Sequence, residues 1–336
     1  MKIGVVGCGA LGSFYGAKLS RSGHEVHFLL RSDYFVVRRN GVTIHSVDGD
    51  FQVQPKCARM PGDIGVCDAV LIGLKTTANK RFSKLLPPLV GPHTAVITLQ
   101  NGLGNEEQLA SLFPVGQILG GLCFVCLNRV SPGVIHHTAH GKVVLGEFQR
   151  HPQPRTGRIA SLFRCAGVPC DVTGDLACSH WEKLVWNIPF NGLGVAGTAG
   201  YEALANTSSS LPVVTCTSPV LTTDILLGNR RWEKLVRELM LEVIAAANAL
   251  GHHLPKSQVD EQINRTRCMG AYKASTLIDF ERQQALELES MFLEPLRRAQ
   301  SSGVDVPRLS ALCDVLRQLD PGRQIKPRTR KRMPVV

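Results

Sequence analysis

The amino-acid sequence predicts an α/β fold, with a doubly wound parallel sheet in the N-terminal half and an all-helical domain after it. Three observations carry this. Apolar runs of strand length alternate with helical stretches from residue 2 to about residue 174. The first run ends in a glycine-rich turn that opens a helix. After about Asp175 the strand pattern stops and apolar residues recur at helical spacing. A chain of 336 residues suits two domains, and 44% hydrophobic with 19% charged residues excludes a disordered, collagenous or coiled-coil chain.

The elements follow in order. Residues 2–6 (KIGVV) read as a buried strand, followed by the turn and a helix to about Ser22. Gly23-His24 breaks the pattern and Glu25–Leu30 forms a second strand. VTIHSV and FQVQP flank Asp48-Gly49-Asp50, a hairpin signal. Cys67–Lys75 and Thr94–Gln100 are two further buried strands around a helical stretch, and Gln117–Leu127 is another. VIHHTAHGKVVLGE reads as a hairpin turning at Gly141. Residues 1–174 are therefore assigned to the sheet domain and 175–322 to the helical domain. Within the latter, 181–185, Arg231–Leu250 and Asp260–Ser301 carry the periodicity, and Asn206–Ser218 is polar and β-branched, as in an exposed loop.

The turn is Gly7-Cys8-Gly9-Ala10-Leu11-Gly12, a GxGxxG pattern between a strand and a helix within a βαβ unit. That context marks a Rossmann-type dinucleotide site. Gly7 allows the tight turn, Gly9 lets the backbone approach a pyrophosphate, and Gly12 lets helix and strand pack. The helix N-terminus offers N–H groups and a positive dipole end. An NAD site would place Asp or Glu at the end of the second strand. This chain has Arg31 there, which suits the 2′-phosphate of NADP. Two later strand ends, at Lys75 and at Gln100-Asn101-Gly102, lie where such sheets bind ligands.

In the helical half, Lys183, Asn187 and Asn191 recur every four residues amid Trp, Leu, Val, Ile and Phe. They fall within an arc of about 80° on one helix face. This is either a polar site or the wet face of the helix, and Pro189 should kink it near Asn187. Ser275 and Asp279 share a face one turn apart. Glu287 would lie about 18 Å further along a continuous helix, so either the helix breaks near Arg282–Ala285 or Glu287 acts elsewhere. Taken alone, these three could equally be surface groups.

Charge and cysteines narrow the setting. Six of the net +11 charges fall in residues 323–336, a Pro-containing tail expected to be disordered, which leaves +5 for the rest. Such a body suits an anionic ligand, and a tail without interleaved aromatics promises only non-specific affinity for nucleic acid. The eleven scattered cysteines form no disulfide framework, and Cys123 and Cys126 lack a second CxxC partner. No metal site is expected, since His136, His137 and His140 would be divided between two faces of a strand. No apolar run is long enough for a membrane span and the first strand leaves no room for a signal peptide, so a reducing cytoplasm is the expected compartment.

In sum of motifs the chain resembles ketopantoate reductases, also called 2-dehydropantoate 2-reductases, from Met1 to about Leu319. GCGALG at 7–12, Arg31, Lys75, QNGLGNEE at 100–107, WEKLVWNIPFN at 181–191, STLIDF and the later ELES occur in the family's order. The resemblance implies NADPH-dependent reduction of ketopantoate to (R)-pantoate, in pantothenate and coenzyme A biosynthesis. By it, Gly7 to Gly12 would hold the pyrophosphate and Arg31 the 2′-phosphate, with Lys75 and Cys126 near the cofactor. Asn101 would touch both cofactor and substrate. Lys183 would donate the proton, Asn187, Asn191 and Ser275 would hold the substrate, and Glu287 would reach the cofactor ribose and the lysine across a helix break. The partner implied is a small 2-oxo acid, with neither a specific nucleic acid nor a membrane, and a homodimer is compatible with the reading. Tyr201 departs from a branch of the family that has a substrate-binding Asn there, and the 205–230 segment is longer than in compact members. Reduction of another 2-oxo acid by a paralogous enzyme, or a dinucleotide-binding regulator, are the alternatives.

Overall fold

The computed structural model describes residues 1–205 and 214–324. The chain divides into two compact units, Met1–His180 and the residues from Trp181 onward. Residues 206–213 of the expected loop, and the tail from residue 325, lie outside the described residues.

One mixed sheet organises the first unit. Its strands are β1 (Lys2–Val6), β2 (Glu25–Leu29), β3 (Val42–Ser46), β4 (Phe51–Val53), β5 (Lys56–Ala58), β6 (Cys67–Ile72), β7 (Val90–Thr98), β8 (Ile118–Ser131), β9 (Val134–Glu147) and β10 (Cys170–Val172). Six of them, in the order β8-β7-β6-β1-β2-β5, are parallel throughout. Successive residues of these strands enter opposite cores. Val5, Leu71 and Ile97 pack on one face with Phe14, Tyr15, Ile159 and Phe163. Val6, Ile72 and Val96 pack on the other with Phe82, Leu86 and Leu109. Burial on both faces is why the strands read as continuous apolar runs. The strand order reverses at β1, which has β6 on one side and β2 on the other, so the turn after β1 lies at the topological switch point.

The hairpin expected around Asp48-Gly49-Asp50 is present as the antiparallel pair β3 and β4, and β8 runs antiparallel to β9, so antiparallel strands flank the parallel core. One expectation for the sheet is corrected. There is no hairpin at Gly141. The chain turns instead at Pro132-Gly133, where Gly133 takes φ 74°, and β9 continues through Gly141 as one long strand. Proline followed by a positive-φ glycine is the stronger turn signal. At His140 (φ 65°) and Gly141 (φ 123°) the register slips from Phe124–Lys142 to Val125–His140, a β-bulge that leaves Gly141 unpaired.

The helices that matter here are α1 (Ala10–Arg21), α2 (Tyr34–Asn40), α3 (Asn105–Ala110), α4 (Pro154–Cys165), α5 (Leu176–Ala196), α6 (Arg230–Ala249), α7 (Gln258–Arg267), α8 (Ser275–Glu281), α9 (Glu294–Ser301) and α10 (Pro307–Leu319). The amphipathic α6 buries Leu235, Val236, Leu239, Met240, Val243 and Ile244 and packs against α9 and α10. α5 runs through Pro189 as a single helix. Asp260–Ser301, in contrast, is not one helix but three separated segments, with non-helical stretches after α7 and after α8.

Candidate active site

The turn between β1 and α1 is built by close approach. A Cβ on Gly7, which has φ 98°, would fall 2.2 Å from the Leu74 nitrogen. One on Gly12 would fall 2.3 Å from the Gly7 carbonyl oxygen. One on Gly9 would meet nothing within 4 Å. Two glycines therefore serve packing, and the third leaves the helix end open. Gly9 is also the N-cap, no side chain caps α1, and the first turn carries no acid. The N–H groups of a helix start then face outward with a positive dipole, which fits a pyrophosphate. Ala10 and Leu11 complete this turn. Burial raises the Cys8 thiol well above its usual range.

Arg31 is exposed, two residues beyond the end of β2. The acid nearest to it in the chain, Asp33, is buried and engaged by Arg129, whose Nε donates at 2.9 Å and one terminal nitrogen at 2.6 Å. That carboxylate is paired with Arg129, so the loop presents a cation where a 2′-phosphate would come, and the site fits NADP rather than NAD.

Lys75 and Asn101 follow the ends of β6 and β7. β6 stops at Ile72, and Lys75 instead opens a short 3₁₀ turn, exposed to solvent. A buried amide chain fixes the two loops to each other. The Gln100 amide donates to the Leu74 carbonyl (3.0 Å) and to Asn79 Oδ1 (2.7 Å). Asn79 donates to Asn105 Oδ1 (2.9 Å), and Asn105 donates to the Asn101 carbonyl (3.0 Å). The QNGLGN run contains three of these residues, yet Asn79 lies in a stretch with no signal of its own. Next to these amides, Glu106 and His180 form a buried pair at 3.0 Å that ties α3 to the N-terminal part of α5. Sequence reasoning missed it because 74 residues separate the two partners. Cys126, half-buried on β8, pairs across to Ala139.

The polar stripe of α5 is not a wet face. Asn187 and Asn191 are only 7% and 2% exposed, and Lys183 is half-buried. Trp181, Leu184, Val185, Ile188 and Phe190 are buried around them. A Cβ on Gly194 would lie 2.5 Å from Leu277, so glycine lets α8 approach α5 closely. Asn191 Oδ1 then accepts the Thr276 N–H at 3.0 Å and the Ser275 hydroxyl at 3.4 Å, capping α8 from another helix. Asn191 and Ser275, 84 residues apart, are thereby brought together.

Of the two alternatives for Ser275 and Glu287, the structure shows the helix break, within Arg282–Ala285. Gln283 takes φ 55°, the Gln284 N–H donates to the Asp279 carbonyl and the Gln283 N–H to that of Phe280. This is a Schellman ending with glutamine in the glycine position. The chain turns back, and Glu287 is buried at 7% exposure just before the next helical turn. Asp279 is buried as well, so neither acid is a surface charge. Tyr201 packs its ring edge-on against Trp232 at 5.1 Å, under the Arg231 guanidinium at 4.1 Å. Among the histidines weighed for zinc, buried His137 spends one ring nitrogen on Ser46 and the other on the Ala139 and His140 carbonyls, and His136 is exposed on the other face.

Comparison with known proteins agrees with this layout. The ketopantoate reductase PanE/ApbA family matches residues 3–150, and the C-terminal domain of the same family matches residues 210–320. A 2-dehydropantoate 2-reductase of a Nostoc species is 38% identical over 330 residues, covering 95% of each chain. The crystal structure of 2-dehydropantoate 2-reductase from Geobacter metallireducens superposes with a TM-score of 0.86 at 43% identity, covering 95% of this chain and 99% of that one. That of the Methylococcus capsulatus enzyme gives 0.83 at 31%, covering 97% and 98%. A glycine turn at the switch point of the sheet and an amide-lined helix in the second unit thus stand in a chain that is similar to these proteins along nearly its whole length, and it belongs to the ketopantoate reductase family.

Proposed function

We propose that the protein reduces 2-dehydropantoate (ketopantoate) to (R)-pantoate with NADPH, in pantothenate biosynthesis. The observation that carries this is identity of 38–43%, over about 95% of the chain, to proteins named for that reaction. The residue roles are our own assignment. Gly7 to Gly12 bind the pyrophosphate and Arg31 the 2′-phosphate, with Lys75, Asn101 and Cys126 beside the cofactor. Bound NADPH supplies a hydride to the ketone carbon. As the carbonyl bond opens, negative charge gathers on the ketone oxygen. Lys183, as an ammonium, stabilises that charge and transfers a proton to the oxygen, then regains one from water. The amides of Asn101, Asn187 and Asn191 and the Ser275 hydroxyl orient the substrate's carboxylate and hydroxyl groups. Because the Asn191 oxygen is occupied by the α8 cap, that residue offers its Nδ2 as a donor, the polarity that an anionic substrate needs. Glu287 is assigned to the cofactor ribose and to Lys183.

Steady-state oxidation of NADPH with ketopantoate, beside a panel of other 2-oxo acids, tests the proposal. Ketopantoate should have the highest kcat/KM of the panel. A higher value for a different 2-oxo acid would transfer the assignment to that substrate, and the Tyr201 stack would then be the first place to seek the cause.

A further inference from the structure

The end of β2 does not stand alone. β5 is its parallel neighbour, with Leu29 paired to Ala58 and the Leu30 N–H donating to the Ala58 carbonyl at 2.9 Å. The residue after Ala58 is Arg59, so two parallel strands end side by side, one leading into Arg31 and the other into Arg59. The Arg59 guanidinium lies over two rings at once, 5.7 Å from the Tyr34 centroid and 5.6 Å from that of Phe35. These rings meet edge to face at the first turn of α2, 5.3 Å apart. Phe35 is 69% exposed, a position for which the protein core supplies no reason. Arg38 lies 5.8 Å from the Tyr34 centroid and donates to its hydroxyl at 3.1 Å. Among the described residues, none of Arg31, Arg38 and Arg59 forms an ion pair, whereas Asp33 in the same loop is taken up by Arg129.

We propose that Arg59 is a second ligand to the cofactor's 2′-phosphate, held ready by Tyr34 and Phe35. The proposal rests on the NADPH reading given above. Three guanidiniums without acids repel one another, and an arriving phosphate relieves that repulsion. Two ring faces also fix a side chain that would otherwise lose rotamer freedom on binding, so less affinity is spent on ordering it. Arg31 has no such support in the structure, which makes Arg59 the preorganised member of the pair. No sequence pattern marks it, since it follows a three-residue strand that only the sheet places beside β2.

Calorimetric titration with adenosine 2′,5′-bisphosphate and with 5′-AMP reads this subsite without any turnover. Arg59→Ala should weaken the bisphosphate about tenfold and change 5′-AMP less than about twofold, the scale of one charge-assisted contact. Arg59→Lys should recover part of the loss, because an ammonium keeps the charge without the fork. The side chain is exposed, so the melting temperature of either variant should match that of the wild type. Equal weakening of both ligands, or no weakening of either, overturns the role of Arg59. Arg31→Asp, measured in parallel, separates the two ideas. Should it abolish the preference for the bisphosphate while Arg59→Ala leaves that preference intact, NADPH stands and Arg59 falls. Should the wild type itself fail to prefer the bisphosphate over 5′-AMP, the NADPH reading fails and takes this proposal with it.

Discussion

Lys183 is the residue to which the proposal assigns the proton transfer. It is half-buried on the helix face that also carries the buried Asn187 and Asn191. If it donates the proton, Lys183→Ala should lower kcat by roughly 10²–10⁴ with NADPH binding nearly unchanged, as expected for a lost general acid. Lys183→Arg should not rescue the rate, since a guanidinium holds its proton too tightly at neutral pH. Glu281→Ala serves as the control. That carboxylate is exposed and pairs with Lys273 at 2.6 Å, and removing such a surface pair should leave turnover close to wild type. A Lys183→Ala enzyme that kept most of its kcat on ketopantoate would remove the lysine from the acid role. The neighbouring amides would then need reassignment too.

At the scale of single elements, the β1–α1 turn sets glycines that pack beside one that faces open space, and the proposal assigns that one to the pyrophosphate. A methyl group on Gly12 would collide with the Gly7 carbonyl, a backbone atom that cannot step aside, so Gly12→Ala should lower the melting temperature by several degrees. Gly9 has φ −78°, which alanine adopts freely, and faces open space. Gly9→Ala should therefore fold normally yet bind NADPH at least about tenfold more weakly, because the methyl group holds the pyrophosphate off the helix end. Thermal melts and direct titration on both variants check this. A Gly9→Ala protein with wild-type affinity would move the phosphates away from this turn. The same scale explains the second unit. Asn191 both caps α8 and stands in the amide stripe, so the segment carrying Ser275 is located by a hydrogen bond from α5 rather than by its own sequence.

Across the first unit, stability depends on a buried carboxylate far from the glycine turn. Glu147 ends β9 and accepts hydrogen bonds from Arg155 (3.0 and 2.6 Å), Arg150 (3.1 and 3.0 Å) and Thr156, fastening the sheet to α4. Burial alone would raise its carboxyl pKa, but Arg155, Thr156 and Arg150 outweigh this and hold it below the usual carboxylate value. A depressed carboxyl pKa stabilises the fold above the unfolded value and ceases to do so as pH falls through the folded one. Glu147→Gln should therefore cost about 3 kcal/mol near pH 7, the scale of breaking a buried pair, with a correspondingly lower melting temperature. The gap from wild type should narrow as the pH is lowered through the carboxylate range. A gap that stayed constant from neutral to acid pH would show that packing, not charge, secures this corner.

Local signals determined a large part of this protein. Strand-length apolar runs, the glycine spacing at 7–12, Arg31 and the amide stripe at 183–191 each report on residues within one turn or one strand, where sterics and periodicity act directly. They were enough for the two-part architecture, the dinucleotide turn and the helix that bears Lys183. Other features depended on contacts between distant segments. The hairpin turns at Pro132-Gly133 because strand pairing selects one of two glycine signals, and Gly141 becomes a bulge in the partner strand. Ser275 meets Asn191 because Gly194 admits Leu277, and Glu287 is turned inward by a glutamine in a left-handed conformation that no residue preference announces. Arg59 reaches the end of β2 only because β5 pairs there. In each of these cases the deciding interaction joins residues remote in sequence, and a free energy shared between two segments leaves no trace in the pattern of either one alone.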